Sequence, residues 1–83
     1  MYELIVKRQV IKDVAKLPAD YARAVSSAID QLAETPRPPG TKKLRGKQSY
    51  RVRVGIYRIL YQIDDELRRV VVFRVKHRRD VYR

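Results

Sequence analysis

The chain has 83 residues, enough for one small domain that buries roughly 60 to 65% of the surface its unfolded chain would expose. It contains no cysteine and one histidine, which excludes a disulfide framework, a thiolate metal site and an unaided zinc site. We therefore expect a single domain over residues 1–83 with no metal and no cofactor. Twenty Lys and Arg residues against nine Asp and Glu residues give a formal net charge of +11, which predicts a polyanionic partner.

The positive charge is concentrated in the second half of the chain. Residues 1–40 carry six basic and five acidic side chains, whereas residues 41–83 carry fourteen and four. No segment approaches the roughly 18 consecutive apolar residues of a membrane span, and the N-terminus lacks the basic and apolar regions of a signal peptide. The sequence thus predicts a cytoplasmic protein, with no membrane partner, whose working surface lies in its second half.

The first half predicts one strand and two helices. Residues 2–6 form a short apolar run typical of a strand, and Val10, Val14 and Leu17 then recur at helical spacing. Pro18 breaks this pattern, and a second helix can begin near Asp20. The apolar face of the second helix consists of Tyr21, Val25, Ala28, Ile29 and Leu32. Three prolines within residues 35–40 end the helical region, and the two helices are expected to form an antiparallel pair.

The second half predicts three strands. Residues 41–48 are expected to form a polar, solvated loop, after which the apolar period changes to two. Two antiparallel strands, at 50–54 and 57–63, are joined by a tight turn at Gly55, and their tyrosines fall on the apolar side. Residues 70–75 are continuous enough in apolar character to form an inner strand, and residues 76–83 form a short basic tail.

The order strand, helix, helix, strand, strand, strand predicts an α+β fold, in which an antiparallel-rich sheet packs one face against the helical pair. The other face is expected to be open. On that face Arg51 and Arg53 are placed about 7 Å apart by the pleat. Arg58 falls on the same side if the hairpin pairs in register.

The motifs of most hydrolases are absent from the sequence: it has no paired carboxylates on one element, no glycine-rich phosphate loop and no metal-ligand spacing. RNA carries its own nucleophile, the 2′-hydroxyl, so a protein can cleave it by orienting that oxygen and stabilising the charge that develops on the phosphate. Arginine suits the second task because it remains protonated and offers planar donors to phosphate oxygens. Tyr82 and His77 are the candidates for proton transfer.

Residues 49–65 (SYRVRVGIYRILYQIDD) and 75–82 (VKHRRDVY), with KLRG at 43–46, resemble the RelE branch of the RelE/ParE toxin superfamily. The resemblance implies the same strand and helix order as above. It also implies a toxin of a type II toxin–antitoxin system that cleaves messenger RNA in the ribosomal A site and leaves a 2′,3′-cyclic phosphate. The positions that match the family's active site are Arg51, Arg53, Arg58, Arg78 and Tyr82.

The sequence departs from the family pattern at two places. The best-known member has lysines where this chain has Arg51 and Arg53, and one of those lysines can take part in proton transfer. Arginine at both positions shifts that role to Tyr82, to His77, or to arginines that act by electrostatics alone. Lys76 stands where many relatives have glycine, which leaves the local turn open.

The family resemblance also implies partners. An acidic RelB-like antitoxin would wrap the positive surface in a toxin–antitoxin hetero-oligomer, and would either cover the catalytic arginines or displace Tyr82. The ribosome and messenger RNA would be the targets. The residues expected to bind RNA or the ribosome are Lys42, Lys43, Arg45, Lys47, His77 and Arg79.

Other interpretations of the same residues remain open at the level of sequence. Arg51 and Arg53 could be the solvated side of an amphipathic hairpin, and Arg58 could form a structural ion pair with Asp64 or Asp65. Arg78 and Arg79 could form a loose basic tail. At the level of function, the alternatives are a ParE-like inhibitor of DNA gyrase, since fold alone does not separate the two activities, and a noncatalytic nucleic-acid-binding module.

Overall fold

The computed structural model describes residues 1–44 and 48–81, except for the side chain of Val81. Its elements in chain order are β1 (Glu3–Val6), α1 (Arg8–Ala15), α2 (Ala19–Gln31), β2 (Lys42–Lys43), β3 (Ser49–Val54), β4 (Tyr57–Asp64), β5 (Arg69–His77) and α3 (Arg78–Val81). These elements confirm the predicted α+β fold and its order of principal elements. None of the helices in the described ranges is long and apolar enough to cross a membrane.

The strands form one sheet in the order β1-β5-β4-β3-β2. β1 runs parallel to β5, and the other three pairings are antiparallel. The predicted antiparallel-rich sheet is therefore confirmed. β5 lies between β1 and β4, so the inner position that its continuous apolar character predicted is confirmed.

The core lies between the sheet and the two long helices. On the sheet, Tyr50 is paired with Tyr61 and Val52 with Ile59, and all four residues are buried. α1 contributes buried Val10, and α2 together with its C-cap residue contributes Val25, Ile29 and Leu32, which recur at the spacing of one helical face. The period-two and helical patterns of the sequence thus predicted the residues that meet in the core.

The helix boundaries differ slightly from the sequence prediction. α1 ends at Ala15, so Leu17 lies beyond it, although Leu17 still packs partly buried against the core. α2 begins at Ala19, directly after Pro18 at the N-cap. Proline is tolerated there because the amide it lacks would have no partner within the helix.

Two segments that were predicted to be irregular contain regular structure. Residues 41–48 were predicted to form a solvated loop, but Lys42 and Lys43 form β2, which pairs with Arg51 and Tyr50 of β3. The segment after the third predicted strand was expected to be a tail, but β5 continues to His77 and residues 78–81 form α3. In both cases hydrogen bonds to a neighbouring strand or turn stabilise a segment whose polar composition did not predict order.

The β3–β4 turn consists of Gly55 and Ile56 and confirms the predicted tight connection. Gly55 has φ of +60°, while Ile56 is not among the residues with positive φ. This combination is typical of a type II′ turn, which favours glycine at its first central position. A Cβ added at Gly55 would lie 2.8 Å from Cε1 of Tyr21, so α2 also requires the absence of a side chain here.

We expect Gly55→Ala to lower the free energy of unfolding by about 2 kcal/mol, because it adds backbone strain and a steric clash. Gly40→Ala is the matched control: Gly40 also has positive φ, +89°, but a Cβ there would meet no atom within 4 Å. The control should cost only about 1 kcal/mol. Equal losses in urea unfolding for the two variants would show that the contact with Tyr21 has no effect.

Candidate nucleic-acid interface

The arginines of the hairpin lie on the sheet face opposite the core. Arg53 is directly paired with Arg58 across β3 and β4, which places both side chains on one face with Cβ atoms about 5 Å apart. The predicted position of Arg58 beside the strand arginines is therefore confirmed. The next pair on the same face of these strands is Arg51 with Leu60.

A short edge strand extends this basic face. Lys42 of β2 is paired with Arg51 of β3, so its side chain also lies on the arginine face. Together with Gly40, Lys42 and the three arginines line a groove with a volume of about 300 Å³. We refer to the surface formed by Gly40, Lys42, Arg51, Arg53 and Arg58 as the arginine groove.

Arg58 differs from the other cations of the groove by its burial. It is only 8% exposed, and its Nη1 donates a hydrogen bond of 3.4 Å to the carbonyl of Tyr57. No carboxylate within residues 1–44 and 48–81 forms an ion pair with it. A buried charge without a counterion is unfavourable, so this guanidinium provides a strong site for an anion that enters the groove.

The acidic residues considered as structural partners of Arg58 have other partners. Asp65 forms an ion pair with Arg37 at 2.9 Å, and Asp64 accepts a hydrogen bond from the amide of Leu67. Hydrogen bonds from Arg37 and then from Tyr2 lower the pKa of the Asp65 carboxyl. The structural ion pair proposed from sequence for Arg58 is therefore wrong.

The proline-rich segment is fastened to the sheet by hydrogen bonds to core tyrosines, and its last residue, Gly40, lines the groove. The buried hydroxyl of Tyr61 donates to the carbonyl of Pro36 at 2.8 Å and lies 3.3 Å from Oγ1 of Thr41. Burial raises the pKa of Tyr61, which favours the protonated, donating hydroxyl. Arg37 adds a hydrogen bond to the hydroxyl of Tyr50. These contacts hold in place the segment that leads to Gly40 and Lys42.

α3 begins beside the hairpin turn. The amide of Arg78 donates to the carbonyl of Ile56 at 2.7 Å, which fixes the start of the helix next to the turn that separates Arg53 from Arg58. Arg78 and Arg79 are both exposed, and they belong to a helix rather than to a loose tail. Tyr82, the near-terminal tyrosine of the predicted active site, lies outside the described residues.

His77 does not lie with the arginines. It is paired with Tyr57 across β4 and β5, and the two rings are 5.7 Å apart, on the sheet face that packs against α2 through Tyr21. Its Nδ1 accepts a hydrogen bond of 3.3 Å from the amide of Arg79, so a neutral ring carries its proton on Nε2. Neither ring nitrogen is then placed as a base in the arginine groove.

The remaining residues that were predicted to bind RNA are Lys43, Arg45 and Lys47. Lys43 is exposed and is paired with Tyr50, so its side chain lies on the face opposite to that of Lys42. Arg45 and Lys47 lie outside the described residues. Of the loop lysines that the structure describes, only Lys42 therefore joins the groove.

A larger cavity of about 570 Å³ lies along the edge of β5, and its lining includes Asp13, Arg74 and Lys76. Two of these charges, Asp13 and Arg74, form an ion pair with each other. Asp13 accepts hydrogen bonds from Arg74 at 3.0 Å and from the amide of Val75 at 2.9 Å. Burial raises the pKa of the Asp13 carboxyl, but hydrogen bonds from Val75, Gln9 and Arg74 outweigh it and hold the pKa below its usual value. Asp13 and Arg74 therefore stabilise the fold, and the arginine groove is the candidate site for a ligand.

Sequence reasoning missed two residues of this surface. Gly40 lines the groove but lay in a segment that had been interpreted only as a helix terminator. Lys76 is paired with Arg58 but was assigned to the tail. Strict alternation from the buried Val70 and Val72 would have placed Lys76 on the core face, and only the register shift of β5 opposite Leu60 and Tyr61 moves it to the arginine face. No local pattern indicated this shift or the position of Gly40.

Several solved structures share this fold. One chain of the toxin–antitoxin complex RelBE2 from Mycobacterium tuberculosis is 35% identical and superposes with a TM-score of 0.78 over 93% of this chain and 98% of that one. The corresponding chain of the RelE–RelB complex from Pyrococcus horikoshii is 28% identical, with a TM-score of 0.83 over 93% and 94% of the two chains. The fold is that of the RelE-type toxins.

The sequence comparisons agree with this class. The family described as the ParE toxin of the type II toxin–antitoxin system parDE matches residues 4–82. Toxin RelG of Mycobacterium tuberculosis is 43% identical over 75 residues, which cover 87% of this chain and 85% of the relative. The protein therefore belongs to the RelE/ParE family of toxins of type II toxin–antitoxin systems, as residues 49–65 and 75–82 predicted.

Proposed function

We propose that this toxin is a ribosome-dependent endoribonuclease that cleaves messenger RNA in the A site. The observation that carries the proposal is the buried guanidinium of Arg58, which has no carboxylate partner in the described parts of the chain and opens onto a groove lined by further cations. A phosphodiester offers the counterion that Arg58 lacks among the described residues. A ribosomal target places the action in the cytoplasm.

The proposed chemistry uses the substrate's own 2′-hydroxyl as the nucleophile. Arg51 and Arg53 bind and orient the RNA backbone, so that the 2′-oxygen lies in line with the adjacent phosphate. Arg58 and Arg78 donate to the phosphate oxygens and stabilise the negative charge that accumulates in the transition state. The products are a 2′,3′-cyclic phosphate and a 5′-hydroxyl.

Proton transfer is assigned to Tyr82 in this proposal. The arginines remain protonated at neutral pH and are unsuited to act as bases. His77 lies on the opposite face of the sheet, with Nδ1 bonded to the amide of Arg79. Tyr82 follows Arg78 and Arg79 and precedes Arg83 in the sequence, and a phenol close to several cations ionises more easily than a free one, which supports Tyr82 in this role.

We further propose that a RelB-like, acidic antitoxin neutralises the toxin within a hetero-oligomer. Several of the similar solved structures are complexes of a RelE toxin with a RelB antitoxin. The formal charge of +11 provides an electrostatic reason for such a partner to associate rapidly and tightly. An acidic segment in the arginine groove would compete directly with RNA.

A translation reaction on a defined messenger RNA tests the proposal. New 5′ ends, mapped by primer extension, are expected only on translated message and should disappear with the Arg58→Ala, Arg78→Ala double variant. The same message incubated without ribosomes should remain intact. Intact message during active translation with the parent protein would refute the nuclease and direct the search to gyrase inhibition or simple nucleic-acid binding.

A further inference from the structure

One lysine of β5 lies beside the arginine groove and also lines the neighbouring cavity along β5. Lys76 is the register partner of Arg58, which is in turn the partner of Arg53. Three cationic side chains therefore cross three neighbouring strands in one line on the same face. Adjacent strands are about 4.8 Å apart. The line runs perpendicular to the strands, from the arginine groove to Lys76 at the cavity along β5.

This line is electrostatically unfavourable in the free protein. Like charges directly opposite each other destabilise a sheet, and no carboxylate in the described ranges forms an ion pair with any of the three residues. Other arginines of the chain are paired: Arg23 with Asp20, Arg37 with Asp65, Arg69 with Glu3 and Arg74 with Asp13. A local arrangement that costs stability without compensation is typical of a binding site.

The chemistry of the line specifies its ligand. Each member is a cation with several donors, and a regular series of singly charged phosphates along one RNA strand would neutralise them in turn. The half-buried position of Lys76 restricts its ammonium group to a smaller region than a fully exposed lysine would sample, which lowers the entropic cost of binding.

We propose that Lys76 forms a phosphate subsite, which binds the RNA phosphate next to the one held by Arg58, so that the RNA backbone crosses β3, β4 and β5. This inference rests on the proposed function for the identity of its ligand. It adds a substrate contact at a position where the family resemblance leads one to expect glycine.

The salt dependence of RNA binding tests the subsite. The probe is a fluorescent single-stranded RNA with 2′-O-methyl groups, which lacks the nucleophile and stays intact. Each phosphate contact contributes about 0.7 to the slope of log affinity against log salt concentration for single strands. Lys76→Gln should lower the slope by about this amount, and Lys76→Arg should restore it. Lys12→Gln, which removes the same charge from an exposed position of α1, should leave the slope unchanged.

A thermal unfolding experiment provides the second readout. Lys76→Gln should raise the Tm relative to the parent protein, because it relieves repulsion with Arg58, whereas loss of a merely structural lysine would lower it. An unchanged salt slope, or no RNA binding by the parent protein, would overturn the subsite. The translation reaction does not depend on either result, because the proposed nuclease is refuted only if the message stays intact. Failure of the subsite and failure of the proposed nuclease are therefore distinguishable.

Discussion

Replacement of Arg58 by alanine is expected to slow cleavage of translated messenger RNA by about 100- to 1,000-fold, the loss that is typical when one donor to a developing oxyanion is removed. The reason is the position of Arg58, which is buried at the base of the arginine groove. A donor that is shielded from water stabilises transition-state charge more strongly than an exposed one. The rate is measured as the first-order appearance of the new 5′ end with ribosomes in excess.

Three further variants separate chemistry from charge and from folding. Arg58→Lys retains the charge but loses the planar pair of donors, so an intermediate loss is expected. Arg58→Met keeps most of the buried volume and should be as inactive as the alanine variant if that variant is correctly folded. Arg23→Ala removes an arginine from the exposed pair with Asp20 on α2 and should cleave like the parent. Full activity of Arg58→Met would contradict the role assigned to Arg58.

Replacement of Asp13 by alanine is expected to lower the free energy of unfolding by about 3 kcal/mol, because it leaves a buried amide without an acceptor and a cation without its partner. Asp13 is 8% exposed and links α1 to the edge of β5 through the amide of Val75 and the guanidinium of Arg74. The Tm should fall by more than about 10 °C in a chain of this length.

Urea unfolding of Asp13→Ala measures this loss, and Asp30→Ala is its control. Asp30 is an exposed residue of α2, and its replacement should change the stability by less than about 0.5 kcal/mol. Asp13→Asn should give an intermediate loss, since the amide oxygen can still accept from Val75 but carries no charge. Equal stability of Asp13→Ala and Asp30→Ala would show that α1 is held to β5 by apolar contacts alone.

The same carboxyl gives the fold a defined dependence on pH. The pKa of Asp13 lies lower in the folded state than its usual value, which is about 3.9 in an unfolded chain. Its stabilisation is therefore fully present above about pH 4 and is lost as the pH falls through the folded-state pKa, because the unfolded chain binds the proton more readily. In unfolding experiments at stepwise lower pH, Asp13→Asn should lose less stability than the parent over this range.

The sequence predicted most of the fold for an identifiable reason. Alternation in residues 50–63 and the helical spacing of Val25, Ile29 and Leu32 are local patterns, and burial of one face turns each pattern directly into an element. The same alternation placed Arg51 and Arg53 on one face, and the hairpin turn at Gly55 brought Arg58 to the same face. The family resemblance assigned these arginines to a common site before their register was known.

Other features depended on contacts between distant segments. The order of β2 follows from hydrogen bonds to β3, and the end of β5 follows from its pairing with β4, neither of which is encoded in local composition. The partners of Asp65 could not be predicted either. Arg37 and Tyr2 reach it from segments 28 and 63 residues away in the chain. Arg58 is near the start of β4, whereas Asp64 and Asp65 lie at its other end, about 20 Å away at the rise of an extended strand.

By itself, then, the sequence determined the basic character of the protein, the order of its main elements, its toxin family and the face on which the hairpin arginines lie, because charge, period and turn chemistry are local properties. Only the tertiary structure decided which of the candidate residues meet. It buried Arg58, placed His77 on the opposite face and aligned Lys76 with Arg58, because strand register is set by long-range pairing and a shift of one residue moves a side chain to the other face of the sheet.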